Sequence, residues 1–123
     1  MPSDNPLLRL VDVLENIERI WTYTENYTFD RFVSDSKCQD AVERCLLRIS
    51  EAARKLQSVA EVLVPDQPWS DIRAVGNVLR HEYDTINPNV IWHIIENDLG
   101  PLWQAVNGAI VVLREKDAKP DKV

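Results

Sequence analysis

The chain has 123 residues, of which 14 are Lys or Arg and 20 are Asp or Glu, so its formal net charge is −6. Hydrophobic residues make up 45% and charged residues 28%, which suits one packed domain and excludes disordered and collagen-like chains. The acidic balance argues against a basic coat that would bind any polyanion, duplex DNA included.

We expect neither a membrane-spanning nor a secretory segment in this sequence. Its longest apolar run, near residues 109–113, is far shorter than the roughly 20 residues that a membrane span needs. Asp4 and Pro6 stand where a secretory signal would have a basic region and an apolar core. We therefore expect a cytoplasmic protein with no membrane partner.

Cys38 and Cys45 are the only cysteines of the sequence. On one helix, their seven-residue spacing would separate them by about 10 Å along the axis, too far for a disulfide. We expect both to be reduced thiols in the core.

Apolar residues recur mainly at three- and four-residue steps, which indicates helices. Asn5 as N-cap and Pro6 at the first helical position predict a helix that ends near Asn26. The stretch 27–34 predicts a single helical turn that lays its two phenylalanines, Phe29 and Phe32, against the core.

A second long helix is predicted to begin at Asp35 or Ser36, where Ser36 and Gln39 have capping-box spacing. Its apolar stripe continues to Leu63, and the two prolines that follow should stop it. This stripe predicts an uninterrupted helix of more than six turns.

Ser70 is the predicted N-cap of a third helix that should end at His81 or Tyr83. Asn87-Pro88 predicts the start of a last long helix, with a kink at Gly100-Pro101. Residues 116–123 are charged and contain a proline, so we expect a mobile tail. The prediction is one domain, residues 1–115, folded as an all-α up-and-down bundle of four long helices and one short helix.

The third helix carries an unusual polar face. With Asn77 at zero and about 100° per residue, Arg73 lies at about −40°, Arg80 at about −60° and His81 at about +40°. Two guanidinium groups, an amide and an imidazole on one surface suit a phosphate, because arginine supplies fixed charge and histidine exchanges a proton near neutral pH. A plain solvated helix face would show the same pattern. The apolar side that this helix should bury consists of Ile72, Val75, Val78 and Leu79.

Gly76 lies inside this helix, beside the polar face. Glycine in a helix interior costs about 1 kcal/mol relative to alanine, and a close approach usually explains it. We expect another backbone or a ligand to come close at this position.

The segment from Trp69 to Leu102 resembles the HepT-like group of the HEPN superfamily. The second helix agrees, since Asp40-Ala41-Val42-Glu43-Arg44 leads to Ile49-Ser50-Glu51-Ala52, with Ser50 where glycine is common. The residues of the first segment that carry the resemblance are Asn77, Leu79, His81, Tyr83, Ile91-Trp92 and Asp98-Leu99.

The resemblance implies a HEPN-like helical bundle that forms a two-fold homodimer, with the His-bearing helices of both protomers lining one cleft. It also implies a metal-independent endoribonuclease that acts as the toxin of a toxin–antitoxin pair and requires no cofactor. Its partners would be RNA and a nucleotidyltransferase antitoxin that adenylylates the motif tyrosine. By position, His81 would be the acid–base residue and Tyr83 the modified one.

The motif arginine of the family does not carry over. The family places it five to seven residues before the histidine, and those positions are Gly76, Val75 and Ala74 here. Arg73 is one residue too early, and Arg80 immediately precedes His81. Our catalytic hypothesis therefore comprises His81, with Arg73 or Arg80 on the phosphate and Asn77 donating a hydrogen bond.

Other interpretations of the sequence remain open. A non-catalytic HEPN module could use the same cluster to hold a nucleotide or a protein partner, and a purely structural bundle is a third reading. Neither histidine has the Glu-x-x-His spacing of di-metal bundles, so no metal is expected, and we assign His93 no catalytic role. Arg44 and Arg48 belong to a mixed-charge face that is either simply solvated or guides RNA.

Overall fold

A computed structural model of the chain describes residues 5–82 and 86–118. These residues are almost entirely helical and contain no strand, so the all-α prediction is confirmed. No helix within the described ranges is long and apolar enough to cross a membrane. The elements are α1 (Pro6–Tyr23), α2 (Phe29–Val33), α3 (Ser36–Leu56), α4 (Val59–Leu63), α5 (Trp69–His81), α6 (Pro88–His93), a π-helical segment (Ile94–Asp98) and α7 (Leu99–Ala118).

Both Asn-Pro pairs begin a helix as predicted. The Asn5 side chain accepts a hydrogen bond from the Leu8 backbone at 3.1 Å, and the Asn87 side chain accepts one from Asn89 at 2.8 Å. These bonds satisfy backbone N–H groups that a helix leaves without a partner in its first turn.

The start of α3 differs from the predicted capping box. Asp35 is the N-cap and accepts a hydrogen bond from the Cys38 backbone at 3.0 Å. Gln39 donates instead to the carbonyls of Phe32 and Val33, at 2.8 and 2.9 Å. The Gln39 amide therefore connects α3 to the end of α2. The capping-box prediction used only the spacing of Ser36 and Gln39 within one helix, so it could not indicate this contact between helices.

The predicted helix to Leu63 is wrong, because α3 ends at Leu56 and α4 is separate. Gln57 between them has a left-handed backbone with φ 51°. Its carbonyl and that of Ala53 accept hydrogen bonds from the Arg73 guanidinium, at 2.7 and 3.2 Å. A side chain from α5 thus adds a second hydrogen bond to carbonyls that already accept one from a backbone N–H, that of Gln57 and that of Ala60.

The other helix ends also shift by about a turn. α1 ends at Tyr23 instead of near Asn26, which has a positive φ of 63°. A kink was predicted at Gly100-Pro101, and the structure has its irregularity just before this pair, as the π-helical segment. Pro101 has no backbone N–H to donate to the preceding turn, which explains the irregularity there. Residues 116–118 of the predicted tail are part of α7, and the remaining tail lies outside the described residues.

The core lies mainly between α1, α3 and α7. Leu10, Ile17, Val42, Leu56 and Val106 are fully buried there. Cys38 and Cys45 are free and buried, as predicted, and burial raises the pKa of both thiols. Helix α5 packs across α3, and this contact positions the predicted polar cluster of α5.

Candidate functional site

Helix α5 carries all four residues of the predicted polar cluster, but they do not share one environment. Asn77 and His81, one turn apart, are exposed to solvent. Arg73 and Arg80 turn towards α3, and their side chains keep only 23% and 30% of their exposure. The predicted face is therefore divided into an open pair and a pair of anchored arginines.

Arg73 is held by four hydrogen bonds. Besides the two carbonyls at the end of α3, it makes a bidentate pair with Glu61 of α4, at 3.0 and 2.7 Å. This pairing lowers the pKa of Glu61 and raises that of Arg73. Since four of the five N–H donors of a guanidinium are used, a phosphate could make a bidentate contact with Arg73 only by displacing one of these partners. Arg73 locks α5 to the end of α3 and to α4.

Arg80 is held more loosely. Its Nη1 donates to Oε1 of Glu51 on α3, and the same oxygen accepts a hydrogen bond from Arg54 at 3.0 Å. No other hydrogen bond engages this guanidinium among the residues that the structure describes. Arg80 is therefore the arginine of the predicted cluster that retains donors beside His81.

Gly76 marks the closest approach of α5 to α3. A Cβ atom at this position would lie 2.0 Å from Oγ and 2.6 Å from Cβ of Ser50. Ser50 is fully buried, and its hydroxyl donates to the Arg73 carbonyl at 3.1 Å. The sequence left open whether another chain segment or a ligand comes close to Gly76. In the structure, the space beside Gly76 is filled by Ser50 of α3. No side chain fits at Gly76, one of the positions where the resembling family has its arginine, without a shift of α3 or α5.

The predicted buried side of α5 is only partly buried. Leu79 is in the core, Ile72 and Val75 are half-buried, and Val78 keeps 44% of its exposure. Ile72 and Val75 line an apolar groove of about 460 Å³ that continues along the π-helical segment and the start of α7. The prediction that Val78 is buried is wrong, and Val78 is not among the residues that line this groove.

The sequence missed the two carboxylates that define the cluster. Glu51 and Glu61 lie 29 and 12 positions from their arginine partners. A helical wheel compares residues of one helix only, so it cannot find such partners. Glu51 also pairs with Arg54, three residues along its own helix, at 3.0 Å. The one sequence signal that pointed to Glu51 is its position next to Ser50, within the segment that resembles the HepT-like group.

The remaining candidates lie elsewhere. Tyr83, the predicted modification site, lies outside the described residues. His93 is exposed on α6, with its Nδ1 3.1 Å from Nδ2 of Asn97, and makes no described contact with α5. Within residues 5–82 and 86–118 there is no group of three His, Cys, Asp or Glu side chains that could hold a metal ion.

The pair between Arg73 and Glu61 predicts how stability depends on pH. Because the pKa of Glu61 is lower in the folded state than its usual 4.5, the unfolded state binds more protons. The stability that Glu61 contributes through its pair with Arg73 is fully present above the pKa that Glu61 has in the unfolded state. It is lost as the pH falls through the lower pKa that Glu61 has in the folded state. We expect Glu61→Gln to reduce the urea midpoint at neutral pH, and the two curves to converge in acid.

Urea unfolding of both proteins, from about pH 7 down to about pH 3, measures this difference. The matched control is Glu115→Gln, which removes an exposed carboxylate from α7. A midpoint difference between wild type and Glu61→Gln that stays constant across this range would contradict the prediction.

Comparison with known proteins agrees with this architecture. The family model described as "Ribonuclease HepT-like" matches residues 13–108. "Putative RNase MJ0127" of Methanocaldococcus jannaschii is 37% identical over 97 residues, which cover 79% of this chain and 80% of that protein. "Probable ribonuclease HepT" of Thermococcus cleftensis is 32% identical over 93 residues, covering 76% and 84%. No solved structure matches the chain. With most of its length matched, from within α1 to within α7, the chain belongs to the ribonuclease HepT-like family.

Proposed function

We propose that this protein is a metal-independent endoribonuclease in which His81 transfers the protons of strand cleavage. The observation that carries the proposal is the exposed His81 at the end of α5, one turn from exposed Asn77 and next to half-buried Arg80. Membership of the ribonuclease HepT-like family and the names of its relatives support the same activity.

The reaction needs a base, an acid and positive charge. A base takes the proton of the 2′-hydroxyl, whose oxygen then attacks the adjacent phosphorus. The bond to the 5′-oxygen breaks, an acid protonates that oxygen, and a 2′,3′-cyclic phosphate remains. Imidazole suits both proton transfers near neutral pH. A two-fold dimer would supply two copies of His81, one for each role.

The apolar groove beside α5 supports such a dimer. Its lining includes Val75, and Val78 is exposed on the same helix as His81. An apolar surface of this kind favours contact with another protein surface, and a two-fold axis pairs a patch with its own copy. A second protomer docked here would bring the two His-bearing helices together.

Arg80 is the cation that we assign to the phosphate, with Asn77 as a hydrogen-bond donor. Because its described contact uses Nη1 alone, Arg80 can keep Glu51 and still present other N–H groups, whereas Arg73 has only one N–H left. We expect Arg80→Ala to reduce kcat/KM for RNA cleavage by about 10²–10³-fold, as loss of a charge-stabilising donor does in other enzymes.

The matched control is Arg54→Ala, which removes the other arginine bound to the same Glu51 oxygen but lies on α3. Cleavage assays should place Arg54→Ala within a few-fold of wild type. Equal losses in both variants would mean that Arg80 acts only through the position of Glu51.

We further propose that the protein is the toxin of a toxin–antitoxin pair, neutralised by a nucleotidyltransferase that adenylylates Tyr83. The support is the resemblance of the segment around His81 and Tyr83 to HepT-like toxins. In this reaction the phenol oxygen attacks the α-phosphorus of ATP and pyrophosphate leaves. Mass spectrometry after co-expression should find AMP on Tyr83, and none on Tyr83→Phe.

A second candidate is a non-catalytic HEPN module that binds a nucleotide or a protein partner. Gly76 at a motif-arginine position, and the carboxylates paired with both Arg73 and Arg80, favour it. The deciding assay incubates the purified protein with end-labelled single-stranded RNA in excess EDTA. Cleavage that requires His81 supports the ribonuclease. Intact RNA with a folded protein supports the binding module.

A further inference from the structure

A second concentration of polar groups lies on the other side of α3. A groove of about 330 Å³ runs between α1 and α3, and its floor includes Leu47, Ala52 and Asn16. More basic than acidic side chains line it, although the chain as a whole has a net charge of −6. The basic groups are Arg9, Arg44, Arg48 and Lys55, and the acidic groups are Asp12 and Glu51.

The acidic groups of this groove already have partners. Asp12 forms an ion pair with Arg9 at 3.1 Å, and Glu51 accepts hydrogen bonds from two other arginines. The three basic residues from α3 are exposed, and none is in an ion pair within the part of the chain that the structure describes. None of these three positive charges is therefore neutralised by an ion pair among the described residues.

The spacing of these cations suits a chain of phosphates. Arg44 and Arg48 are one helical turn apart, about 6 Å, and Lys55 lies about 16 Å from Arg44 along the axis. A stacked nucleic-acid strand advances about 3.4 Å per nucleotide, so the row spans several phosphates. A strand lying along the groove could contact all three side chains.

The floor of the groove contains a buried acceptor without a donor. Asn16 keeps 8% of its exposure, and its Nδ2 donates to the Asp12 carbonyl at 2.8 Å, which orients the amide. Its Oδ1 is buried and accepts no hydrogen bond from the described residues. Because leaving such an acceptor unpaired is unfavourable, a ligand whose N–H donor displaced the neighbouring side chains and reached Oδ1 would be stabilised here. The exocyclic amine of a nucleobase is such a donor.

We propose that this groove binds the substrate RNA strand outside the cleavage site, with phosphates on Arg44, Arg48 and Lys55 and a base amine at Asn16. The inference rests on the proposed ribonuclease function and adds the path of its substrate. Glu51 joins the two sites, since it lines the groove and also holds Arg80, the residue before His81. The structure thus favours the RNA-guiding interpretation of Arg44 and Arg48 over a simply solvated face.

The test measures binding separately from cleavage. Full-length protein carrying His81→Ala is titrated into a short fluorescein-labelled single-stranded RNA, and anisotropy is followed at increasing KCl. In that background Arg44→Gln/Arg48→Gln should weaken binding by about tenfold or more, and should reduce the slope of log Kd against log salt by about 1.4, or about 0.7 per lost phosphate contact.

The matched control removes the same charge elsewhere. Lys37→Gln/Arg114→Gln changes two exposed basic residues outside the groove, so its affinity should remain within a few-fold of the parent. If the groove variant binds RNA as tightly as this control, with an equal salt slope, the inference is wrong, whatever the cleavage assay shows. If wild type does not cleave RNA but the groove variant loses binding, the groove assignment holds and the proposed catalysis fails.

Asn16→Leu is a second variant that leaves the charge unchanged. It removes an unpaired buried acceptor, so we expect a thermal midpoint close to that of the parent protein and weaker RNA binding. Unchanged RNA affinity in a folded Asn16→Leu protein would overturn the role assigned to Asn16.

Discussion

Replacing His81 with alanine is expected to abolish RNA cleavage, with kcat falling by about 10²–10⁴-fold. His81 is exposed at the end of α5 and contributes no core packing, so the variant should fold and unfold like wild type. In a dimer with one shared cleft, a single substitution removes both proposed proton-transfer groups. End-labelled RNA in excess EDTA, analysed on a sequencing gel, measures the loss.

The second histidine of the chain is the matched control. His93 is also exposed, but it lies on α6 and contacts Asn97 instead of any residue of α5. His93→Ala should therefore cleave RNA within a few-fold of wild type. If His81→Ala cleaves as fast as wild type, the proposed mechanism is wrong, and if His93→Ala alone loses activity, the acid–base residue has been misassigned.

Replacing Gly76 with alanine should destabilise the fold, although alanine is the better helix former. The added Cβ would lie 2.0 Å from the Ser50 hydroxyl and 2.6 Å from its Cβ. Rotating the hydroxyl removes the first clash but not the second, because Cβ is attached directly to the α3 backbone. Overpacking of this kind costs roughly 1–3 kcal/mol, and urea unfolding should report a loss of that order.

Two variants show whether this loss comes from the contact with Ser50. Gly108 lies on α7 with nothing within 4 Å of an added Cβ, so Gly108→Ala should be stabilising by about 0.5–1 kcal/mol. In a Ser50→Gly background, Gly76→Ala should no longer be destabilising, which a double-mutant cycle measures as coupling between the two positions. Additive effects would show that the two helices are free to separate at this point.

The contact between Gly76 and Ser50 also allows a test of whether an arginine at the motif position would increase RNA cleavage. Ser50 stands where glycine is common in the resembling family, and Gly76 stands at one of its arginine positions. Ser50→Gly provides the space that a side chain at position 76 needs. We expect the Ser50→Gly/Gly76→Arg protein to fold and to cleave RNA faster than Ser50→Gly alone, whereas Gly76→Arg by itself should be strongly destabilised.

The starts of helices that carry a local N-cap signal could be predicted from the sequence. Asn5-Pro6 and Asn87-Pro88 begin helices because an N-cap amide and a proline act within one turn. The break after Leu56 was not predictable in this way. It coincides with a positive φ at Gln57 and with hydrogen bonds from Arg73, whose guanidinium reaches the end of α3 from another helix.

One part of the candidate site was likewise predictable from the sequence, and the other part depended on contacts between helices. Helical periodicity placed Arg73, Asn77, Arg80 and His81 on one helix face, and all four do lie on α5. Periodicity could not distinguish the anchored arginines from the exposed amide and imidazole, because Glu51 and Glu61 come from other helices. The resemblance to the family predicts a role for His81 independently of that geometry.

By itself, the sequence determined the all-α class, the family, and the exposed histidine at the end of the third predicted helix, since each depends on local patterns or on matching residues. Only the tertiary structure decided which arginine retains donors beside that histidine, why position 76 must be glycine, and that Arg44, Arg48 and Lys55 share a groove with Asn16. These features depend on contacts between residues far apart in the chain, which exist only once α1, α3 and α5 have packed together.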